Sequence, residues 1–232
     1  MVGIAAGLAA IAGLAWFYLW GMASMPGGME TGIAMTLAMW TVMMAAMMLP
    51  SASPAILLYA AMVRKNAERG VALAAVWLFV AGYLLAWAGF AVLAALLQAA
   101  LEGTGLLAPM MLSASPWLSG ALLLAAGAYQ FTPLKKLCLS KCREPVQFFI
   151  TNWHPGPLGA LRMGAAHGAY CVGCCWLLML LLFALGVMNL AWIALIAAFV
   201  LAEKLLPAGR FSSRFAGVAL ILSGLTVLAA PI

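Results

Sequence analysis

The sequence predicts an all-α fold, a polytopic transmembrane helical bundle of about seven helices. Of the 232 residues, 68% are hydrophobic and only 7% are charged, whereas soluble domains carry about 25% charged residues. The apolar segments run for about 20 residues, the length that a helix needs to cross the hydrocarbon core. They do not alternate between apolar and polar positions as barrel strands do. Because backbone groups in lipid must pair within each segment, helices are expected throughout a single transmembrane domain, 1–232.

Seven candidate spans follow one another along the chain. They cover residues 2–24, 32–49 with a continuation to 63, 71–98, 117–134, 164–187, 189–206 and 215–231. The last span is the shortest, and the bundle has six helices if it does not cross. Only one connection, 135–162, is long enough for local structure, and we predict a cytoplasmic loop with a short interfacial helix there.

The second span contains two prolines, Pro50 and Pro54. A straight helix from Gly32 to Val63 would extend about 48 Å at about 1.5 Å per residue, which exceeds one crossing. Because proline removes a helix hydrogen bond and kinks the chain, we expect a break between Leu49 and Pro54. Such a break either lines a site at membrane depth or is a kink that packs against neighbouring helices.

The distribution of basic residues predicts the orientation of the chain. All 11 Lys and Arg residues follow the second, fourth and sixth spans, and the loops at 25–31, 99–116 and 188 contain none. Since basic residues are enriched in cytoplasmic loops, seven spans place the N-terminus in the cytoplasm and the C-terminus outside. This pattern accounts for the net charge of +6, and no nucleic-acid partner is expected.

The five cysteines all lie between positions 138 and 175. Residues three or four positions apart share a helix face, so they and a histidine form two clusters near the predicted cytoplasmic end. Disulfides are rare in the cytoplasm, and clustered Cys and His there indicate a metal site or a redox couple. The alternative is that each Cys is a small buried residue. The candidate metal ligands are Cys138, Cys142, His167, Cys171, Cys174 and Cys175.

Methionine is the second source of sulfur, with 16 residues in the chain. On the second span, four of them recur at every fourth position: Met35, Met39, Met43 and Met47. Thioethers prefer Cu(I), although a methionine row at helical spacing is typical of an ordinary core. The candidates for a second, weaker site or a transfer path are Met44, Met47 and Met48.

Two charged residues, Glu203 and Lys204, close the sixth span. Ionisable groups within a membrane are costly and often functional, so Glu203 is a further candidate site residue. Because the lysine can extend toward the interface, we expect a local ion pair between the two.

Several sequence blocks carry a family resemblance. They are WTVMMAAMMLP (40–50), YQFTPLKKLCLSKCREP (129–145), HGAYCVGCCWLLM (167–179) and GVMNLAW (186–192), followed by the Glu203–Lys204 pair. In these blocks the chain resembles the bacterial predicted metal-binding integral membrane proteins, a family of uncharacterised function. The resemblance runs from about residue 30 to 206. It implies a multi-pass helical protein of the bacterial inner membrane with a metal site at the Cys and His positions.

Thiolate, thioether and imidazole ligands favour a non-enzymatic protein that binds Cu(I), with zinc as the alternative metal. Its expected role is copper handling: delivery, transport or storage. The expected partners are the lipid bilayer and a membrane metalloenzyme or other membrane subunits. A second hypothesis is a structural or assembly subunit of a larger membrane complex, whose glycines allow close helix packing. A third is a membrane thiol oxidoreductase that uses the CxxC pair Cys171–Cys174.

Overall fold

A computed structural model describes residues 2–24, 32–65, 69–107, 115–206 and 209–229 of the chain. Within these ranges the protein forms nine helices and is all-α, as predicted. The helices are α1 (Val2–Ala23), α2 (Ile33–Arg64), α3 (Arg69–Gly103), α4 (Pro116–Tyr129), α5 (Pro133–Arg143), α6 (Pro145–Thr151), α7 (Gly156–Leu185), α8 (Leu190–Leu205) and α9 (Gly209–Ala229).

The helix count differs from the predicted seven because two short helices, α5 and α6, occupy the segment that was expected to be mainly a loop. Each begins with a proline, which has the backbone angle of a first helical residue and no N–H to leave unpaired. Five of the described helices, α1, α2, α3, α7 and α9, are long and apolar enough to cross a membrane. The other two predicted spans, α4 and α8, have 14 and 16 residues.

The second span is one helix of 32 residues with Pro50 and Pro54 inside it. The break expected between Leu49 and Pro54 is therefore wrong. Each proline deprives the carbonyl four residues earlier of its usual N–H donor. Side chains supply the missing donors in both places, so the helix continues past both prolines.

The two substitute hydrogen bonds come from different helices. The Trp16 indole N–H of α1 donates to the Ala46 carbonyl at 3.2 Å, which is the acceptor that Pro50 leaves without a partner. The Ser53 hydroxyl of α2 donates to the Pro50 carbonyl at 2.8 Å, which is the acceptor affected by Pro54. Both interactions give a partly buried backbone carbonyl the donor that proline removes.

Two glycine-lined contacts bring the longer helices together. A Cβ at Gly82 of α3 would lie 2.1 Å from the Leu161 carbonyl oxygen, and a Cβ at Gly164 of α7 would lie 2.0 Å from the Phe79 carbonyl oxygen. Only glycine permits this approach. Phe79 lies against Gly164, and further along both helices Tyr83 and Ala86 lie against Gly168, so positions rise together and α3 and α7 run parallel. The chain between them therefore returns through α4, which packs against α7 and, through Gly127, against α9.

Candidate metal centre

Three cysteines of α7 bring their sulfur atoms together in the interior. Cys171, Cys174 and Cys175, hereafter the cysteine cluster, are buried, and their Sγ atoms all lie within 4.8 Å of one another. The spacing of three and four residues puts them on one helix face. With metal–sulfur bonds of about 2.3 Å, thiolates on one ion lie roughly 4 Å apart. A small side-chain adjustment would therefore let all three sulfurs bind a single ion.

The thiols of the cysteine cluster are held by their own helix. Cys174 and Cys175 both donate to the Cys171 carbonyl, at 3.1 and 3.0 Å. Bonding from a side chain to a carbonyl one turn earlier is a local arrangement that needs no other element. The sulfurs are thus grouped by α7 itself, and a metal would replace the thiol protons.

Polar groups from three other helices surround Cys171. The Lys204 ammonium of α8 lies 3.0 Å from the Cys171 Sγ and donates to the Ser51 hydroxyl of α2 at 2.9 Å. The Tyr83 hydroxyl of α3 lies 3.1 Å from the same sulfur and also donates to the Met48 carbonyl at 3.2 Å. A buried ammonium is stable only beside a compensating negative charge. The thiolate form of Cys171 would provide that charge.

Helix α5 brings a fourth sulfur to the site. The Cys142 thiol hydrogen-bonds with Cys171 and Cys174, and these bonds, followed by burial, raise the pKa of Cys142 well above its ordinary value. Cys138 lies one turn earlier and approaches α7 at Gly173, where a Cβ would come 2.8 Å from the Cys138 Sγ. Burial raises the pKa of Cys138 as well. The structure therefore brings Cys142 to the cysteine cluster and places Cys138 beside it.

His167 lies one turn before the cysteine cluster and is 2% exposed. Its ring packs among Phe79, Tyr83 and Phe148, with centroid separations of 5.2 to 6.1 Å. Its Nδ1 is buried and has no hydrogen-bond partner among the described residues, which is uncommon for a buried polar atom. The group of ligand atoms within 4.8 Å does not include it. His167 thus lies near the sulfurs with a nitrogen available to a ligand.

The candidate methionines lie on the buried face of α2. Met44, Met47 and Met48 are fully buried, as are Met39 and Met43, and these five residues are hereafter the methionine row. The row ends next to the candidate metal centre, because the Ser51 hydroxyl that contacts Lys204 also lies 4.0 Å from the Met48 Sδ. Residues 25–31, which include Met25 and Met29, lie outside the described residues.

Glu203 faces a different part of the molecule from Lys204. Its carboxylate forms an ion pair with the Lys135 ammonium of α5 at 2.8 Å and accepts a hydrogen bond from the Ser213 hydroxyl of α9. The local ion pair expected between Glu203 and Lys204 is therefore wrong. Adjacent residues on a helix do not face each other, and in this structure each reaches a partner on another helix.

The sequence analysis did not identify four residues of the polar groups around Lys204 and Glu203. Tyr83, Ser51, Lys135 and Ser213 are buried polar residues that contact Cys171, Lys204 or Glu203. For Tyr83 and Ser51 a weak signal was available, since each interrupts a long apolar segment. Lys135 was counted with the loop residues, and nothing in its local sequence indicates that it is buried.

A known protein family matches this chain. A family model with the description PpoB2, copper chaperone, matches residues 37–227. The match covers most of the chain and includes the cysteine cluster, Cys142, His167 and the Glu203–Lys204 pair. No curated protein and no solved structure matches the chain.

Proposed function

Because the chain belongs to the family described as PpoB2, copper chaperone, we propose that it binds Cu(I) on the cysteine cluster and delivers it to a membrane metalloenzyme. The observation that carries the proposal is the set of three buried Sγ atoms within 4.8 Å of one another. Thiolates are soft ligands that select Cu(I) over hard cations. Copper is here a cargo, held until it is passed on.

The composition of the site favours Cu(I) over Zn(II). A structural zinc site uses four ligands in a tetrahedron, whereas the group of described sulfurs within 4.8 Å of one another has three members and does not include Cys142. Thioethers, which suit Cu(I), continue from the site along α2 through Met48 and Met47. In this proposal, Cys142 and His167 are additional ligands that exchange with the α7 sulfurs, and Cys138 is an accessory residue.

The methionine row is the proposed transfer path. Met44, Met47 and Met48 would form a second, weaker site, because a thioether carries no charge and binds copper less strongly than a thiolate. Two chains of contacts join this row to the cysteine cluster. One runs from the Met48 Sδ through Ser51 and Lys204 to the Cys171 Sγ, and the other runs from the Met48 carbonyl through the Tyr83 hydroxyl to the same sulfur. A copper ion leaving Cys171 would therefore meet Met48 at its first step along α2.

In the same proposal, the protein is a multi-pass protein of the inner membrane, with a cytoplasmic N-terminus and an external C-terminus. Five helices long and apolar enough to cross support this placement. The placement of all 11 basic residues after even-numbered predicted spans supports the orientation. The parallel contact of α3 with α7 also agrees with it, since the third and fifth predicted spans both run outward. The segment 135–162 would then lie on the cytoplasmic side.

Metal analysis of protein purified without oxygen tests the proposal. We expect the wild-type protein to retain copper with sulfur ligands, which X-ray absorption would identify as Cu(I). The Cys171→Ser, Cys174→Ser double variant should lose that copper, because it removes two of three clustered sulfurs. Cys138→Ser is the matched control and should retain it. A wild-type protein that binds no copper, or a double variant that binds as much, would contradict the proposal.

A thiol oxidoreductase is the second candidate function. It is favoured by one observation, the Lys204 ammonium 3.0 Å from the Cys171 sulfur, because a nearby cation activates a cysteine as a nucleophile. A Cys171–Cys174 disulfide that forms and is reduced as a quinone turns over would select this function. Stoichiometric membrane subunits that copurify with metal-free protein would instead select an assembly role.

A further inference from the structure

A second polar region lies beside the metal centre and has no part in the proposed copper transfer. A cavity of about 590 Å³, hereafter the basic cavity, lies between the end of α4, helix α5 and the start of α9. One of its lining residues is acidic, Glu144. Four are basic: Lys135, Lys136, Arg143 and Arg214. The lining therefore attracts anions.

Gln130 gives the strongest indication that the basic cavity takes a ligand. Its side chain lines the cavity, and the residue is 2% exposed. Neither its amide oxygen nor its amide nitrogen has a hydrogen-bond partner among the described residues. Buried amides are nearly always paired. An amide buried at a cavity wall with both atoms unpaired is explained if a ligand supplies the partner.

The charges around the basic cavity indicate that this ligand is an anion. Lys135 and Lys136 lie in the first turn of α5, which begins at Pro133. Basic residues are unfavourable there, because the start of a helix already carries a partial positive charge. Glu203 compensates Lys135 through the ion pair at 2.8 Å. The exposed Lys136 and Arg214 add further positive charge, which an anion in the cavity would balance.

We propose that the basic cavity binds a phosphate group. Phosphate oxygens accept hydrogen bonds from an amide N–H, an ammonium and a guanidinium, which Gln130, Lys136 and Arg214 provide at the lining. The phosphate belongs to the headgroup of an anionic phospholipid or to a free phosphate. Basic pockets between helices on the cytoplasmic side are a recurrent form of lipid headgroup recognition. The site does not depend on the role proposed for copper.

Thermal unfolding of the full chain in neutral detergent tests the site. The probes are phosphatidylglycerol against phosphatidylcholine, and inorganic phosphate against chloride at equal ionic strength. We expect an anionic probe to raise the Tm, because it binds the folded state. A rise with phosphatidylglycerol alone assigns the site to a lipid headgroup, and a rise with inorganic phosphate assigns it to free phosphate. No rise with either probe overturns the proposal.

Two variants test whether a rise in Tm comes from anion binding in the basic cavity. Gln130→Leu and Lys136→Gln should each weaken anion binding by about tenfold, since each removes a hydrogen bond to a charged group. Lys65→Gln, an exposed lysine outside the cavity, is the matched control and should bind as the wild type does. Lys136 is exposed, so its replacement leaves the fold intact even if Gln130→Leu does not fold. Equal loss in Lys136→Gln and Lys65→Gln overturns the proposal.

Discussion

Glu203 and Lys204 are neighbours in the sequence, and both are buried, yet they belong to two different regions of the molecule. Glu203 lies with Lys135 and Ser213 between α8, α5 and α9. Lys204 lies with Cys171 and Ser51 between α8, α7 and α2. The first group holds one full positive and one full negative charge. The second holds one lysine among thiols and hydroxyls.

We interpret the Glu203 region as a structural pair of charges and the Lys204 region as part of the proposed copper site. The Lys135–Glu203 pair compensates itself, so it needs nothing further from outside. Lys204 is compensated only if a neighbouring thiol gives up its proton, which is also the form that binds metal. Variants in the Glu203 region should therefore alter stability, and variants in the Lys204 region should alter copper binding.

The largest effect is expected from breaking the pair in the Glu203 region. Glu203→Gln leaves the Lys135 ammonium buried without its negative partner and should destabilise the fold by about 3–5 kcal/mol. Chemical denaturation measures this loss. A combined Lys135→Met, Glu203→Leu variant should recover most of it, because it removes both charges. Copper bound per folded protein should stay the same, and a loss of copper would contradict the separation of the regions.

Lys204→Met should lower the copper affinity and leave the stability nearly unchanged, which is the opposite of the result expected for Glu203→Gln. Methionine has a similar volume, so the free energy of unfolding should change by less than about 1.5 kcal/mol. Copper affinity at neutral pH should fall about tenfold or more, because the thiolate of Cys171 loses a charged hydrogen-bond donor. Competition with a copper chelator measures the affinity. Lys65→Met is the control, and an unchanged affinity in Lys204→Met would assign the lysine to stability alone.

If Cys142 is a copper ligand, we expect the copper affinity to depend on pH. Its pKa is raised by hydrogen bonds to Cys171 and Cys174 and by burial, so the thiol carries its proton throughout the neutral range. A metal that binds Cys142 must displace this proton, and affinity should rise with pH. Cys142→Ser should lower the slope of log affinity against pH by about one proton. An unchanged slope would exclude Cys142 as a ligand.

The smallest effect is expected along the methionine row. Met48→Leu keeps the side-chain volume, so stability should change by less than about 1.5 kcal/mol, and copper content should match the wild type. The rate of copper release to a chelator should fall, because the thioether that contacts Ser51 beside the proposed site is lost. Met163→Leu, a buried methionine of α7 outside the row, is the control. Equal release rates in both variants would remove Met48 from the path.

Local patterns predicted those features that depend on one helix at a time. The spacing of Cys171, Cys174 and Cys175 placed their sulfurs on one face, and the structure brings them within 4.8 Å. The predicted break in α2 was wrong because the helix at this point depends on a contact with another helix. Proline lowers the local stability of a helix, but Trp16 on α1 supplies one of the missing donors. That donor is 30 residues away in the sequence, beyond any local pattern.

The sequence by itself determined the all-helical class and the grouping of the α7 cysteines, because hydrophobic length and helical spacing are properties of short segments. Only the tertiary structure decided that Cys142 joins the site, that Lys204 faces Cys171 and that Glu203 turns to Lys135. These contacts depend on how α2, α5, α7 and α8 pack, and glycines such as Gly82 and Gly164 set how closely the helices approach. A buried charge takes whichever partner packing places beside it.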